Sequence, residues 1–439
     1  MNKKRRILTL AAVCTAIVLA LTFCNRCSKN QSQGEAVTAA DSIETMVDPV
    51  DIEPIATDEP TVVAEKPTAS KKKKPIQGEW YIKNDVTKVK DIAFEEIADD
   101  IVVKPILTDE PLGDIYFLSG YSNDFIAADG HLATFYHIKD GRLIGKLHAV
   151  GRGPGEYTIQ LVEFLYLPDD GLFYGCDQNQ GKIMCYKTSP FKFVSNFDVP
   201  SLPQNNILGD MYVLGREHFL LNWSPKTEYS SVFDSYDVYD VNGESINKIL
   251  AGRGDKIWPD IFTRSGNDVL ISVFEGKNVL YRYVNGQVEK VATIDYGDME
   301  LSEDKKVTSK RMINNKMRTV ITTKDYATGC FHPQLTDSVM VNWFKLCTNN
   351  KYGDYLTIAT RDKVQNYKVH IGGLNFDVSP WMVDNGVYTM LVQGDWEEKI
   401  NPDEKLSAVG KRIIEAMKGN DYDPVILQFR LKNKYLTSD

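Results

Sequence analysis

From Trp80 onward, short runs of β-branched and aromatic residues alternate with polar residues and are separated by turn dipeptides. The Asp-Gly pairs at 129–130 and 140–141 are typical of the tight loops that join antiparallel strands. They divide the start of this region into four runs, at 114–118, 124–128, 131–136 and 142–148. Four antiparallel strands in series are the repeating unit of a β-propeller, so this pattern predicts one blade.

The same pattern recurs along the chain. Further sets of four runs occupy residues 159–199, 206–250 and 261–294, and residues 330–370 and 374–392 supply two more sets. A repeat of roughly 40–50 residues is the usual length of a propeller blade. The chain is therefore predicted to be an all-β, six-bladed β-propeller of four-stranded blades.

Two stretches depart from this rhythm. Residues 302–320 are charged and lack strand alternation, so they predict a helix inserted between blades. Residues 403–418 carry apolar side chains at helical spacing and are followed by Gly419, which predicts a C-terminal helix. Residues 425–431 are predicted to form a terminal strand.

The N-terminus has the pattern of an export signal. Residues 2–6 are mostly basic, residues 7–23 are apolar, and Cys24 ends the apolar run. Cys24 stands where a bacterial lipoprotein would be lipidated, but Phe23 replaces the small residue that normally precedes that cysteine. Residues 1–24 are therefore interpreted either as a lipoprotein signal or as an uncleaved membrane anchor, and both place the rest of the chain outside the cytoplasm.

Residues 25–79 are rich in Ser, Thr, Ala, Pro and charged residues and have almost no aromatic residues. Such a composition cannot bury enough apolar surface to fold, so this segment is predicted to be a disordered tether. The folded domain is then predicted to span residues 80–439. The four lysines at 71–74 could contact anionic lipid, but a solvated charge run is the preferred interpretation.

Charge and cysteine content limit which partners and which kinds of fold stabilisation the sequence favours. A net charge of −9 argues against nucleic acid as a partner, because phosphate binding needs a basic face. Seven cysteines in 439 residues do not form a disulfide framework. Cys176 and Cys185 flank a predicted hairpin with its turn at Gln180-Gly181, and either a cross-strand disulfide or two free thiols would fit that position.

The most distinctive motif is Gly151-Arg-Gly-Pro-Gly-Glu-Tyr157, between the first two predicted blades. A partial copy containing Arg253 begins at Gly252, two blades later, so the motif marks a repeated structural position. Arg152 and Arg253, with Glu156 and Tyr157, could contact a ligand near the central channel. Alternatively, each arginine could fasten one blade to the next.

With this motif the sequence resembles the six-bladed β-propeller lipoproteins of Bacteroides-type bacteria. Asp177, Lys182, Ile183 and Tyr186 match a strand pair of that family, and residues 420–427 resemble its closing element. The resemblance covers roughly residues 80–439. It implies a propeller fold and an envelope location, but no activity.

No motif indicates catalysis. The glycine motif lacks the ending of a phosphate-binding loop, the six histidines lack zinc-site spacing, and no nucleophile elbow is present. No catalytic residue, metal or cofactor is therefore predicted. Tryptophans are candidate contacts for a sugar or peptide, at positions 223, 258, 343, 381 and 396. Trp223 and Trp258 are the preferred candidates because each lies beside a proline in a predicted loop, whereas Trp343 is predicted to be core.

The sequence thus favours a membrane-tethered, non-catalytic propeller that binds a glycan, a peptide or an envelope protein. The alternative is a secreted propeller enzyme acting on a carbohydrate or ester, with an acidic or metal site at the central channel. Paired carboxylates such as Asp421 and Asp423 keep this alternative open, because carboxylate separations cannot be read from a sequence.

Overall fold

The computed structural model describes residues 78–437, with gaps at 130–132, 159–160, 178, 199–205, 214–217, 226–234, 241–244, 250–261, 266–267, 285–286, 301–305, 314–315, 324, 350 and 420–423. The described chain begins with three strands and a short helix: β1 (Trp80–Lys83), β2 (Val89–Ala93), α1 (Phe94–Ile97) and β3 (Ala98–Pro105). Each of these strands joins a sheet that is completed much later in the sequence.

Four antiparallel meanders follow, each formed by four consecutive strands. Blade 1 consists of β4–β7 (Ile115–Tyr121, Asp124–Asp129, Thr134–Lys139, Arg142–Leu147), and blade 2 of β8–β11 (Val162–Leu167, Leu172–Asp177, Lys182–Thr188, Phe191–Asp198). Blade 3 consists of β12–β15 (Asn206–Val213, His218–Pro225, Ser235–Asp240, Ser245–Ile249), and blade 4 of β16–β19 (Phe262–Ser265, Asp268–Phe274, Asn278–Val284, Gln287–Asp295). Asp140 and Gly141 both have positive φ, which confirms the predicted tight turn between β6 and β7.

The predicted inserted helix at 302–320 is wrong. This stretch forms an antiparallel hairpin of β20 (Lys306–Ile313) and β21 (Lys316–Thr323), preceded by a 3₁₀ turn at Gly297–Met299. The hairpin contains four valine or isoleucine residues and four threonines. β-Branched residues of this kind favour strands over helices, and the charged residues among them concealed that preference.

Blade 5 comes next and consists of β22–β25 (Tyr326–Leu335, Val339–Thr348, Lys351–Thr360, Val364–His370). The remaining four-stranded sheet is composite, because it joins β26 (Met382–Asp384), β27 (Val387–Val392) and β28 (Val425–Leu431) to β3 from the start of the described chain. The prediction of six regular blades therefore needs correction. Five blades are built from consecutive strands, and the composite sheet is interrupted by α2 (Trp396–Lys399) and α3 (Ala408–Lys418).

The C-terminal predictions were otherwise good. Helix α3 begins after Ser407 and not at the predicted residue 403, because the Ser407 side chain caps it by accepting a hydrogen bond from the Gly410 amide. The helix ends at Gly419 as expected. The terminal strand occupies the predicted residues Val425–Leu431. A last 3₁₀ turn spans Asn433–Tyr435.

The sheets pack face to face around a ring of first strands. Contacts run from β4 to β8, β12, β16 and β22 in turn, and β26 contacts β4. All six residues of β5 are buried, because alternate side chains pack into two separate cores. Phe125 joins a cluster with Leu391 and Ile426 of the composite sheet, whereas Ile126 joins one with Phe173 of blade 2. This is the architecture of a β-propeller, in which each blade is covered on both faces by its neighbours.

The question of a Cys176–Cys185 disulfide is answered by the register. Asp177 pairs with Lys182, so four residues connect β9 and β10 instead of two. Cys176 consequently faces Ile183 while Cys185 faces Tyr174, and both are buried free thiols. In the part of the chain that the structure describes, no helix has the length and apolar character needed to cross a bilayer.

Candidate functional site

A pocket of about 600 Å³ opens between blade 1, blade 5 and the segment that leads into β26. Its size falls within the range of small-molecule sites in proteins. The lining comes from three separated parts of the sequence: Tyr116, Phe117 and Leu118 of β4; Phe331, His332, Trp343, Lys345, Tyr352 and Asp354 of blade 5; and Ser379, Pro380 and Trp381.

The pocket opens just before the short strand β26. Strand β26 has three residues, whereas β4 and β22, which supply other lining residues, have seven and ten. The Trp381 amide still donates to the Thr389 carbonyl oxygen, at 2.8 Å, but Pro380 has no N–H with which to continue the ladder. The sheet therefore stops at Pro380 and leaves space above it.

His332 fixes the wall of the pocket at this point. Its Nε2 donates to the Pro380 carbonyl oxygen at 2.9 Å. Burial lowers the pKa of His332 to about 4, so the ring is neutral at physiological pH and its Nε2 carries the proton for this bond. His332 also has φ +47°, an unfavourable conformation for a non-glycine residue, which the surrounding structure must maintain.

Aromatic rings dominate the lining. Tyr116, Phe117 and Tyr352 are 46%, 53% and 62% exposed, which is unusual for large side chains in a propeller so extensively buried. Phe331 and Trp381 are half-buried, and Trp343 is 2% exposed, as its predicted core position requires. The pocket thus presents several accessible aromatic side chains around the buried Trp343.

The charged residues of the pocket form one pair. Lys345 and Asp354 lie opposite each other on β23 and β24, and Lys345 Nζ is 2.8 Å from Asp354 Oδ1. The ammonium group also lies 6.0 Å from the centre of the Phe331 ring. Among the described lining residues, Asp354 is the one carboxylate. A ligand would therefore meet a donor and an acceptor side by side, with no net charge.

The glycine motif lies elsewhere and holds blades 1 and 2 together. The Tyr157 side chain is fully buried, and its hydroxyl donates to the Ala133 carbonyl oxygen at 2.8 Å and accepts from the Ala149 amide at 3.1 Å. Burial raises the pKa of Tyr157 to about 12. On the other side, the Tyr186 hydroxyl of blade 2 donates to the Gly155 carbonyl oxygen at 3.1 Å.

The other predicted residues of the motif have different surroundings. Glu156 accepts a hydrogen bond from the Gly153 amide of its own loop at 2.7 Å, so its carboxylate organises the turn. Arg152 is exposed. The three predicted site residues Arg152, Glu156 and Tyr157 thus share one loop, but none of them lines the pocket.

The remaining predicted contacts are only partly described. Trp223 lies in β13, paired with Leu208 and Ser235, and not in the loop that its neighbouring proline suggested. Cys24, Arg253 and Trp258 lie outside the described residues, as do Asp421 and Asp423. Of the five candidate tryptophans, Trp343 and Trp381 reach the pocket.

A second polar cluster is buried between blades 1 and 2. The Asp124 carboxylate accepts from His137 Nε2 at 2.7 Å, from Lys139 Nζ at 2.8 Å and from the Tyr166 hydroxyl at 2.9 Å. His137 Nδ1 lies 3.2 Å from the Thr188 carbonyl oxygen of blade 2. Asp124, His137 and Lys139 all belong to blade 1. The bonds that Tyr166 and Thr188 make to this cluster cross from blade 2 and help to join the two blades. Elsewhere in the described chain, no three His, Cys, Asp or Glu side chains converge as metal ligands would.

Comparison with known proteins identifies a fold and no family. No family model matches the chain, and no curated protein matches it. Among solved structures, an exported protein of Bacteroides fragilis aligns over 81% of this chain and 100% of its own, with 14% identity and a TM-score of 0.52. The chain therefore shares its propeller fold with an exported bacterial protein.

Two further solved structures align with lower scores. The β-propeller domain of Swd1 from Myceliophteria thermophila has 12% identity and a TM-score of 0.33, and covers 57% of this chain and 71% of its own. An aldose sugar dehydrogenase from Streptomyces coelicolor has 12% identity and a TM-score of 0.34, and covers 76% and 99%.

Proposed function

We propose that this chain is an exported, membrane-tethered propeller that acts as a non-catalytic binding module and takes its ligand in the pocket between blades 1 and 5. The observation that carries the proposal is the convergence of three exposed aromatic side chains, Tyr116, Phe117 and Tyr352, on one concave site. Exposed aromatic residues in a preformed concavity are the usual energetic centre of a binding site.

A glycan is the ligand class that fits best. Flat aromatic faces can cover the apolar face of a sugar ring, while Lys345 and Asp354 offer a donor and an acceptor to neighbouring hydroxyl groups. Since the pair is electrically neutral, a neutral sugar is favoured over an acidic one. A peptide with an aromatic side chain is the other ligand that this lining could accept.

Catalysis is not favoured by this lining. Most glycoside hydrolases need two carboxyl groups on either side of the scissile bond. In the described lining, one carboxylate is present and it is already paired with Lys345.

The proposal also includes the number of blades and the anchor. The composite sheet of β26, β27, β28 and β3 would be the sixth blade, since β26 contacts β4 and so continues the ring of first strands. The similarity to an exported protein supports an envelope location, and Cys24 would be the lipidated residue if the N-terminal segment is a lipoprotein signal.

The test is to screen the full chain against neutral glycans and peptides and then measure affinity by calorimetry. Tyr352→Ala and Phe117→Ala should each weaken binding about tenfold or more, as expected for a central aromatic contact. Tyr81→Ala is the matched control, because Tyr81 is 61% exposed but lies on β1, away from the pocket. Equal losses from all three variants, or release of hydrolysed product from a bound glycan, would contradict the proposal.

A further inference from the structure

Residues 80–107 form a strap along the outer edges of neighbouring sheets. Strand β1 pairs in parallel with β19, the outermost strand of blade 4, and β2 pairs in parallel with β25, the outermost strand of blade 5. Strand β3 then forms the outer strand of the composite sheet. Beyond β3, the Leu107 amide donates to the Gly141 carbonyl oxygen of blade 1, at 2.8 Å. The strap therefore crosses from blade 4 to blade 5, to the composite sheet and to blade 1.

Buried polar contacts hold the strap where blades 4 and 5 meet. The Asn84 side chain is 2% exposed, donates to Thr357 Oγ1 at 2.9 Å and accepts from Asn366 Nδ2 at 2.6 Å. Both partners belong to blade 5. The Asn84 amide donates in the other direction, to the Asp295 carbonyl oxygen of blade 4 at 2.8 Å. One residue of the strap thus bonds to two blades.

A column of aromatic rings leads from the strap to the candidate pocket. Phe94 of α1 packs edge-on against Phe429 of β28, with ring centroids 4.9 Å apart. Phe429 stacks on Tyr388 of β27 at 5.3 Å, and Tyr388 contacts Trp343 at 6.1 Å. Trp343 lines the pocket, and each of the four side chains is at most 2% exposed. Because a packed interior has little free volume, a displacement of one ring has to be accommodated by the next.

The column supports one side of the pocket. The lining residues Phe331 and Trp381 pack against the core cluster that contains all four rings of the column. Leu118, on the wall contributed by β4, packs instead against the cluster that contains Phe125. A shift of the column would therefore move the blade 5 side of the pocket relative to the β4 wall.

We propose that Phe94 is a positioning residue for the pocket: through the aromatic column, the strap fixes the position of Trp343, and attachment of the strap is coupled to occupation of the pocket. This inference rests on the proposed function, because it concerns the same pocket. The proposed tether leads directly into β1, so local opening of the strap from that end would weaken binding. Coupling is reciprocal, so an occupied pocket would in turn hold the strap more firmly.

The first measurement requires no ligand. The full chain in detergent micelles is labelled with 5-fluorotryptophan, and its fluorine NMR signal from Trp343 is assigned with Trp343→Phe. Phe94→Leu removes the first ring of the column but keeps an apolar side chain, so it should shift or broaden the Trp343 signal. Tyr388→Leu interrupts the column at its centre. Combining the two substitutions should change the signal no further than the larger single effect, because both act through one route.

Phe135→Leu is the matched control. Phe135 is also 2% exposed and packs against another ring, Phe173 of blade 2, at 5.0 Å, but it belongs to a separate core cluster. It should leave the Trp343 signal unchanged at a similar loss of stability, which urea unfolding of both variants measures. An unchanged Trp343 signal in Phe94→Leu, or the same change in Phe135→Leu, would overturn the inference.

Binding and strap opening supply the second measurement. For those neutral glycans and peptides of the screened panel that bind the wild type, Phe94→Leu should weaken affinity about fivefold or more, whereas Phe135→Leu should not. The same glycan or peptide should slow hydrogen exchange of the β2 amides in the wild type. Equal affinities of Phe94→Leu and the wild type would overturn the coupling and leave the pocket as a binding site. If no member of the panel binds, the proposed function fails, and the fluorine signal alone decides whether Phe94 positions Trp343.

Discussion

At the scale of single residues, Asp124 shows how much one buried carboxylate can contribute to joining two blades. Burial alone would raise the pKa of Asp124, but the hydrogen bonds from Lys139, His137 and Tyr166 outweigh it and lower the pKa below the ordinary value of 3.8. The folded state thus binds this proton more weakly than the unfolded state. The resulting stabilisation is complete above about pH 4 and is lost as the pH falls through the lowered folded pKa.

We therefore predict that Asp124→Asn lowers the free energy of unfolding by about 2 kcal/mol at pH 7. The variant should also lose less stability than the wild type between pH 5 and the onset of acid unfolding, because the titrating group has been removed. Urea unfolding across this pH range measures both effects. Asp109→Asn in an exposed loop is the control, and an acid dependence of Asp124→Asn equal to that of the wild type would contradict the explanation.

The candidate pocket shows the limit of prediction at the residue scale. Its lining comes from residues 116–118, 331–354 and 379–381, which meet only when the ring of first strands closes. No local pattern links these segments. Tyr116 and Phe117 both line the pocket although neighbouring strand positions normally face opposite sides, and the register shift of β4 between Ile115 and Phe117 accounts for this. The glycine motif was conspicuous in sequence, but the structure places it at a packing position.

At the scale of elements, the glycine motif at 151–157 depends on the close approach of its backbone to strand β11. Gly155 has φ +76°, and a Cβ added there would lie 2.6 Å from both Cβ and Cγ of Phe193 on β11. Gly181, in the β9–β10 turn, has φ +65° but nothing within 4 Å of an added Cβ. The two glycines share the left-handed backbone and differ in available space.

We predict that Gly155→Ala destabilises the protein by about 3 kcal/mol, and Gly181→Ala by about 1 kcal/mol. The smaller loss is the cost of a left-handed non-glycine residue, and the difference is the cost of overpacking against Phe193. Thermal or urea unfolding of the two variants measures both losses of stability. Equal losses would mean that the motif requires glycine at 155 for backbone conformation alone.

Whether an element was predicted correctly depended on which signal dominated locally. Helix α3 was found because its apolar residues recur at helical spacing and pack on one side, with Ile413 and Ile414 buried. The hairpin β20–β21 was missed because the cations in its sequence masked its β-branched residues. Blades 1 to 4 were found because turn dipeptides and alternation agreed along each of them.

At the scale of the whole molecule, the composite sheet joins the two ends of the described chain. Strand β28 pairs with β27 on one side and with β3 on the other, so Leu427 lies opposite both Met390 and Val103. Its neighbour Ile426 packs against blade 1, whereas Leu427 packs in the core shared with blade 5 and α3. A pairing between residues more than 300 positions apart has no signature in local sequence, which is why regular blades were expected.

This closure predicts that unfolding is global and not blade by blade. Leu427→Ala should cost about 2–5 kcal/mol, because the removed side chain is fully buried in a core that cannot easily collapse. If β28 holds the ring closed, hydrogen exchange of the slowest amides should accelerate by the same factor in every blade. The same substitution at Leu107, which is 46% exposed, should change exchange little anywhere. Acceleration confined to blade 5 and the composite sheet would instead show that the blades open independently, as nearest-neighbour repeats do.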